Sequence, residues 1–221
     1  MGILVKVPSY DELLDLGIRE REKGDVNKAI KCFKKILSLY VVQSPSRKVE
    51  IKNHLGLAYY HKKSYEKAKE TWEEARKLAV ETNNISGLAT ALRNLSRKEL
   101  YLSGSDLVKA LGYAEEAVGM AESLNRNDLV WFLHGLFSAT EVLGEKDKLK
   151  PILKREIRAL FKVWSKIPKL ERNVWLDGVL MDYVIVHNKI GKPLLYLARY
   201  LARKQGLKRR EEQINNLLVL I

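Results

Sequence analysis

Cysteine is nearly missing from this chain: Cys32 is the only one in 221 residues. That excludes an intramolecular disulfide and a cysteine-based zinc cluster, and it fits a reducing compartment. Cys32 stands between Lys31 and Phe33 in a helical stretch, where a buried packing thiol is expected. Proline is scarce, with 5 residues, and most of the 13 glycines stand at expected helix ends. No apolar run approaches 18 residues, so no membrane span is expected. The opening Met1-Gly2-Ile3-Leu4-Val5-Lys6 lacks a basic leader, and Lys6 stands where a myristoylation signal wants Ser or Thr. A cytoplasmic location is therefore expected. Catalytic signatures are missing too. There is no phosphate loop, no dinucleotide fingerprint, no His-Glu-x-x-His and no Gly-x-Ser-x-Gly elbow. The expectation is a non-enzymatic protein with no catalytic residues, no cofactor and no metal.

What is present favours helices. Leu, Lys, Glu and Ala dominate, and all are strong helix formers. Hydrophobic residues make up 46 %, enough for a sizeable core, and charged residues 30 %. The net charge of +13 is uneven. Residues 141–221 hold 18 Lys and Arg against 9 Asp and Glu, so the back of the chain is its basic end.

A period organises the sequence. Leu16-Gly17, Leu55-Gly56, Leu95-Ser96 and His134-Gly135 place a small residue at intervals of 39, 40 and 39. A second series follows the first two pairs, Ala29-x-x-x-Phe33 and Ala68-x-x-x-Trp72. The third unit offers Ala110-x-x-x-Ala114 after a loop about two residues longer. The small residue lets the second helix of a hairpin approach the first. The aromatic fills the space where the next hairpin stacks. A fixed period of this length means stacked supersecondary units.

Leu55-Gly56-Leu57-Ala58-Tyr59, then Tyr65, Ala68, Trp72 and Ala75, resembles a near-complete tetratricopeptide repeat. Leu16-Gly17 through Gly24, Ala29 and Phe33 resembles one nearly as well. The intervals exceed the family's usual repeat of about 34 residues and resemble its longer variety. The resemblance covers about residues 10–145 and fades beyond. It implies an all-α fold: a right-handed solenoid of stacked helical hairpins with a C-terminal capping helix. The expected organisation is one continuous solenoid over residues 1–221, with degenerate hairpins and the cap in about 146–221. Helices are expected near 9–23, 25–42, 46–62, 64–82, 85–103, 105–124, 128–143, 148–166, 170–189, 193–205 and 207–220. Ser9-x-x-Glu12 is a capping box, Gly24-Asp25 a stop followed by an N-cap, and Gly144, Gly191 and Gly206 helix ends.

In that family the first helices of successive hairpins line a concave surface. Counted from the Leu-Gly mark, the resemblance places Asn53, His54, Tyr60 and His61 of the second unit there, with Arg93, Asn94, Arg97 and Tyr101 of the third. Asparagine can pair with an extended peptide backbone, and Arg93 and Arg97, four apart, suit a carboxylate. The implied function is a protein-interaction scaffold or adaptor that grips a segment of a protein or peptide partner, expected to be acidic. His54 and His61 are seven apart and expected to be groove-lining rather than metal-binding. His134 and His187 are expected to be packing residues.

The basic end offers an alternative. Lys150, Lys154, Arg158 and Lys162 recur every four residues, with Arg155 beside them, and Arg199 and Arg203 repeat the spacing. Three readings stay open: a solvated face, a surface for an acidic protein, or a regulator's contact with nucleic acid. The final segment, Ile214-Asn215-Asn216-Leu217-Leu218-Val219-Leu220-Ile221, is very apolar and is expected to cover the solenoid's end or to serve self-association.

Overall fold

A computed structural model describes residues 8–40, 44–97, 104–187 and 191–220. Among them there are eleven helices and no strand: α1 (Tyr10–Lys23), α2 (Val26–Leu39), α3 (Pro45–His61), α4 (Tyr65–Glu81), α5 (Ile85–Leu95), α6 (Gly104–Ser123), α7 (Leu129–Val142), α8 (Lys146–Val163), α9 (Lys169–Val186), α10 (Gly191–Lys204) and α11 (Lys208–Leu220). Most of the expected boundaries hold to a few residues, but α5 ends at Leu95, since Ser96 and Arg97 are not helical. Residues 98–103, over which α5 was expected to continue, lie outside the described residues. Gly191 is a correction: it opens α10 rather than ending α9, and Pro193 falls in the first turn, where a missing N–H costs nothing.

The helices form two compact units, 1–87 and 88–221. In the first, α1 pairs with α2 and α3 with α4. The capping box is complete: the Ser9 N–H donates to Glu12 Oε2 at 2.7 Å, and the Glu12 N–H donates to Ser9 Oγ at 3.2 Å. Gly24 closes α1 at φ 94°, a conformation that disfavours a side chain. Asp25 then caps α2 by accepting from the Lys28 N–H. Tyr10, Leu13, Ala29, Phe33, Ile36, Ile51, Leu55 and Ala58 share one core, so α2 packs on both α1 and α3.

The period has a direct physical meaning here. A Cβ on Gly17 would lie 2.6 Å from Phe33, and one on Gly56 would lie 2.5 Å from Trp72 Nε1. Both aromatics are fully buried. Trp72 also donates its indole N–H to the Asn53 carbonyl at 3.1 Å. Each glycine is therefore the floor on which the aromatic of its own hairpin rests.

The second unit pairs α6 with α7, α7 with α8, α8 with α9, and α9 with α10. Its main core holds Leu92, Ala114, Val118, Phe132, Leu133, Phe137, Leu153 and Leu160. The small residue changes partner here: Gly135 faces the Arg93 side chain at 3.4 Å rather than an aromatic. At the C-terminal end, Leu207 and Ile214 join Val184, Leu195, Ala198 and Ala202 in a separate core. So α11 covers α10 and α9 through Ile214, while Val219 stays 86 % exposed.

Candidate functional site

Most residues that the repeat mark places on a groove are interior. Asn53 is buried and donates from Nδ2 to the Gly87 carbonyl at 3.2 Å. Tyr60 is buried against Tyr65 and Trp72. His54 stacks on Phe33, its Nδ1 lying 3.1 Å from Arg21 Nη1. Burial first, and the Arg21 charge second, lower its pKa to about 3, so the ring is neutral and can accept that hydrogen bond. His61 is partly buried beside the Tyr60 ring.

The same holds in the second unit. Arg93 is 4 % exposed, with its guanidinium 3.7 Å from the centre of the Trp131 ring and Nη1 donating to Asn94 Oδ1. Asn94 is 1 % exposed and Arg97 partly buried. Tyr101 lies outside the described residues. The expectation of an exposed polar set is thus corrected for Asn53, Tyr60, Arg93 and Asn94. Asn53 and Arg93 spend donors on the Gly87 and Trp131 carbonyls instead of on a ligand.

The basic stripe, in contrast, is on the surface. Lys150, Lys154, Arg155, Arg158 and Lys162 of α8 are all exposed. Arg155 pairs with Glu122 at 2.7 Å. No carboxylate among the described residues stands within ion-pair distance of Lys150, Lys154, Arg158 or Lys162. Three of these, Lys150, Lys154 and Arg158, line a groove with Leu153, Ile157, Tyr183 and His187, with about 680 Å³ of empty space open to solvent. The Tyr183 and His187 rings lie 4.5 Å apart. Helix α8 sets the cations at four-residue intervals along the rim, and the end of α9 supplies the aromatic wall. On α10, Arg203 pairs with Glu211, and Arg199 is half-buried with its guanidinium over the Tyr196 ring. Tyr196 and Tyr200 are 51 % and 58 % exposed.

A second constellation escaped the sequence reading, which took His134 as packing. His134 of α7, Glu156 of α8 and Asp182 of α9 converge in the second unit. His134 Nδ1 lies 2.6 Å from Asp182 Oδ2 and 3.8 Å from Glu156 Oε1. Glu156 and Asp182 are 1 % and 3 % exposed. Burial pushes both carboxyls well above the usual carboxylate range. A hydrogen bond links the two carboxyl groups. Burial lowers His134 to about 4 against the raising pull of Glu156, leaving a neutral imidazole. A small cavity beside it is lined by Trp131, His134, Glu156, Trp175, Gly178 and Arg210. One signal was legible: Asp177 and Asp182 interrupt the apolar run from Val174 to Val186, where a soluble helix gains nothing from acids on its inner face.

No protein-family model matches the chain, and the search of curated proteins gives no match. Solved structures do. A Podosopora anserina protein described as a kinesin light chain with nearly identical TPR-like repeats superposes with a TM-score of 0.56 at 15 % identity, over 88 % of this chain and 96 % of that one. A variant of it gives the same TM-score and identity. The Rap conjugation gene regulator of the plasmid pLS20, solved in complex with the Phr* peptide, gives 0.65 at 18 % identity, over 100 % of this chain and 63 % of that one. With the periodic small residues and the helical hairpins they separate, these likenesses give this chain an all-α helical-repeat fold of the tetratricopeptide type.

Proposed function

We propose that this chain is a non-enzymatic binding module that holds an acidic segment of a partner protein in the groove between α8 and α9. One observation carries the reading. Lys150, Lys154 and Arg158 stand along one rim with no carboxylate among the described residues in ion-pair reach, and Tyr183 and His187 form an amphipathic wall. Unneutralised cations in a row repel one another, and an anionic ligand removes that repulsion. The regulator that shares the fold was solved with a peptide, which supports a peptide as occupant. A partner site on the first-helix residues draws no support from Asn53, Arg93 and Asn94, whose side chains are interior.

A second reading has its own observation. On α10, exposed Tyr196 and Tyr200 alternate with Arg199 and Lys204, each cation about one ring-contact from its tyrosine. Exposed aromatics among cations are what single-stranded nucleic acid stacks on. Fluorescence anisotropy separates the two. A glutamate-rich peptide should bind, and Lys150→Glu with Lys154→Glu and Arg158→Glu should weaken it by at least about 10-fold, with losses of roughly 1.5–3 kcal/mol for each charge-assisted bond. Binding of that peptide undiminished in the triple variant would remove the groove from the function. Tighter binding of single-stranded RNA, lost in Tyr196→Ala with Tyr200→Ala, would favour the second reading.

A further inference from the structure

The cluster of His134, Glu156 and Asp182 has a composition that packing alone does not explain. Three ionisable side chains come from three helices, on positions otherwise given to the core: Glu156 lies four residues from Ile152 and from Leu160, both buried. Removing such groups from water is costly unless each polar atom finds a partner. Here one does not: Glu156 Oε2 is buried and has no hydrogen-bond partner among the described residues. The cluster therefore has donor capacity left over after its internal hydrogen bonds are counted.

We propose that His134, Glu156 and Asp182 bind one divalent first-row transition-metal cation, with Zn²⁺ as the best fit. The ligand set suits it, since imidazole nitrogen and carboxylate oxygen are both ordinary zinc donors at about 2.0–2.2 Å. Atoms that share one such ion stand roughly 3–3.5 Å apart. The three candidate atoms already lie within 4.8 Å of one another, with two separations at 2.6 and 3.8 Å. Two carboxylates match the ion's double charge. The adjoining cavity, bounded by Trp131, Trp175 and Gly178, leaves room for water in the fourth position. This site is separate from the α8–α9 groove, and neither reading depends on the other.

The test uses the full chain, stripped with a chelator and titrated with Co²⁺ and then Zn²⁺. One equivalent of Co²⁺ should bind and give the visible ligand-field bands of a four- or five-coordinate nitrogen–oxygen site. Zn²⁺ should displace it and abolish those bands. Glu156→Gln and Asp182→Asn should each weaken binding by at least about 10-fold, the smallest loss expected when even an outer-shell partner is removed near the lower limit. His61→Ala, in the other unit, should change nothing. No binding at about 100 µM metal, or equal affinity in Glu156→Gln and Asp182→Asn, overturns the proposal. Should either variant lose its helical spectrum, the unmutated chain still decides. Bound Co²⁺ without those bands is an exposed, hydrated ion and overturns it equally.

Discussion

Gly56→Ala is the sharpest test of the packing argument. The added methyl would sit 2.5 Å from Trp72 Nε1, 2.6 Å from Cδ1 and 2.8 Å from Cε2, all well inside contact distance. Trp72 is fully buried, so the indole cannot swing into open space. Overpacking of this kind costs about 1–3 kcal/mol. Moving the ring also breaks its hydrogen bond to the Asn53 carbonyl, leaving a buried donor and acceptor at a cost of about 1–3 kcal/mol. Alanine's better helix propensity returns about 1 kcal/mol. The net loss is then about 1–5 kcal/mol. Urea unfolding followed by circular dichroism and by tryptophan fluorescence measures it, and Trp72 is the only tryptophan in residues 1–87. Gly17→Ala should lose less, because Phe33 has no hydrogen bond to surrender. Adding Trp72→Leu to Gly56→Ala should recover part of the loss, a coupling that independent sites would not show. A Gly56→Ala chain with an unchanged urea midpoint would refute the view that the recurring small residue exists to seat the aromatic.

The same substitution should have the opposite sign on α6. Gly112 and Gly119 are exposed, and an added Cβ meets nothing within 4 Å at either. Gly112→Ala and Gly119→Ala should each stabilise the second unit by about 0.5–1 kcal/mol in the same urea assay. Asp177 gives a pH test. It is fully buried, neither carboxyl oxygen has a hydrogen-bond partner among the described residues, and burial raises its pKa to about 7 against the lowering pull of Arg210. Its folded pKa is above its unfolded one, so the folded state holds the proton better. Stability conferred below about pH 4 is lost progressively as pH rises toward 7 and levels off above it. Asp177→Asn should therefore match the unmutated chain near pH 4 and exceed it, on the order of several kcal/mol, at pH 8. Equal urea midpoints at pH 8 would show that the carboxylate is accommodated after all.

Local rules carried the fold a long way. Ser9-x-x-Glu12 and Gly24-Asp25 satisfy or end helices through bonds between near neighbours, so their meaning survives without knowledge of packing. The Gly–aromatic pairs were legible because sixteen residues separate each glycine from its aromatic within one hairpin. The groove set was not legible. Whether Asn53 or Arg93 faces water depends on which helix lies against it, and neither propensity nor period reports that. The His134 cluster was harder still. Its members stand 22 and 26 residues apart on three helices, and each alone looks like an ordinary residue. The acids within the apolar stretch of α9 were the available clue. The basic stripe lay at the other extreme: a four-residue repeat of lysine and arginine is a surface pattern on any helix.

The seat that each glycine makes for its aromatic also limits how such a chain can drift in sequence. At Gly17 and Gly56 any side chain collides with a ring that is already in place, so the larger residue cannot arrive first. The ring must shrink before the glycine can grow, and the intermediate carries a cavity. The third repeat shows the completed outcome, with Ser96 at the small position and Ala114 where Phe33 and Trp72 stand in the first two. Repeats that have made this exchange no longer resemble their neighbours, although they keep the same helices.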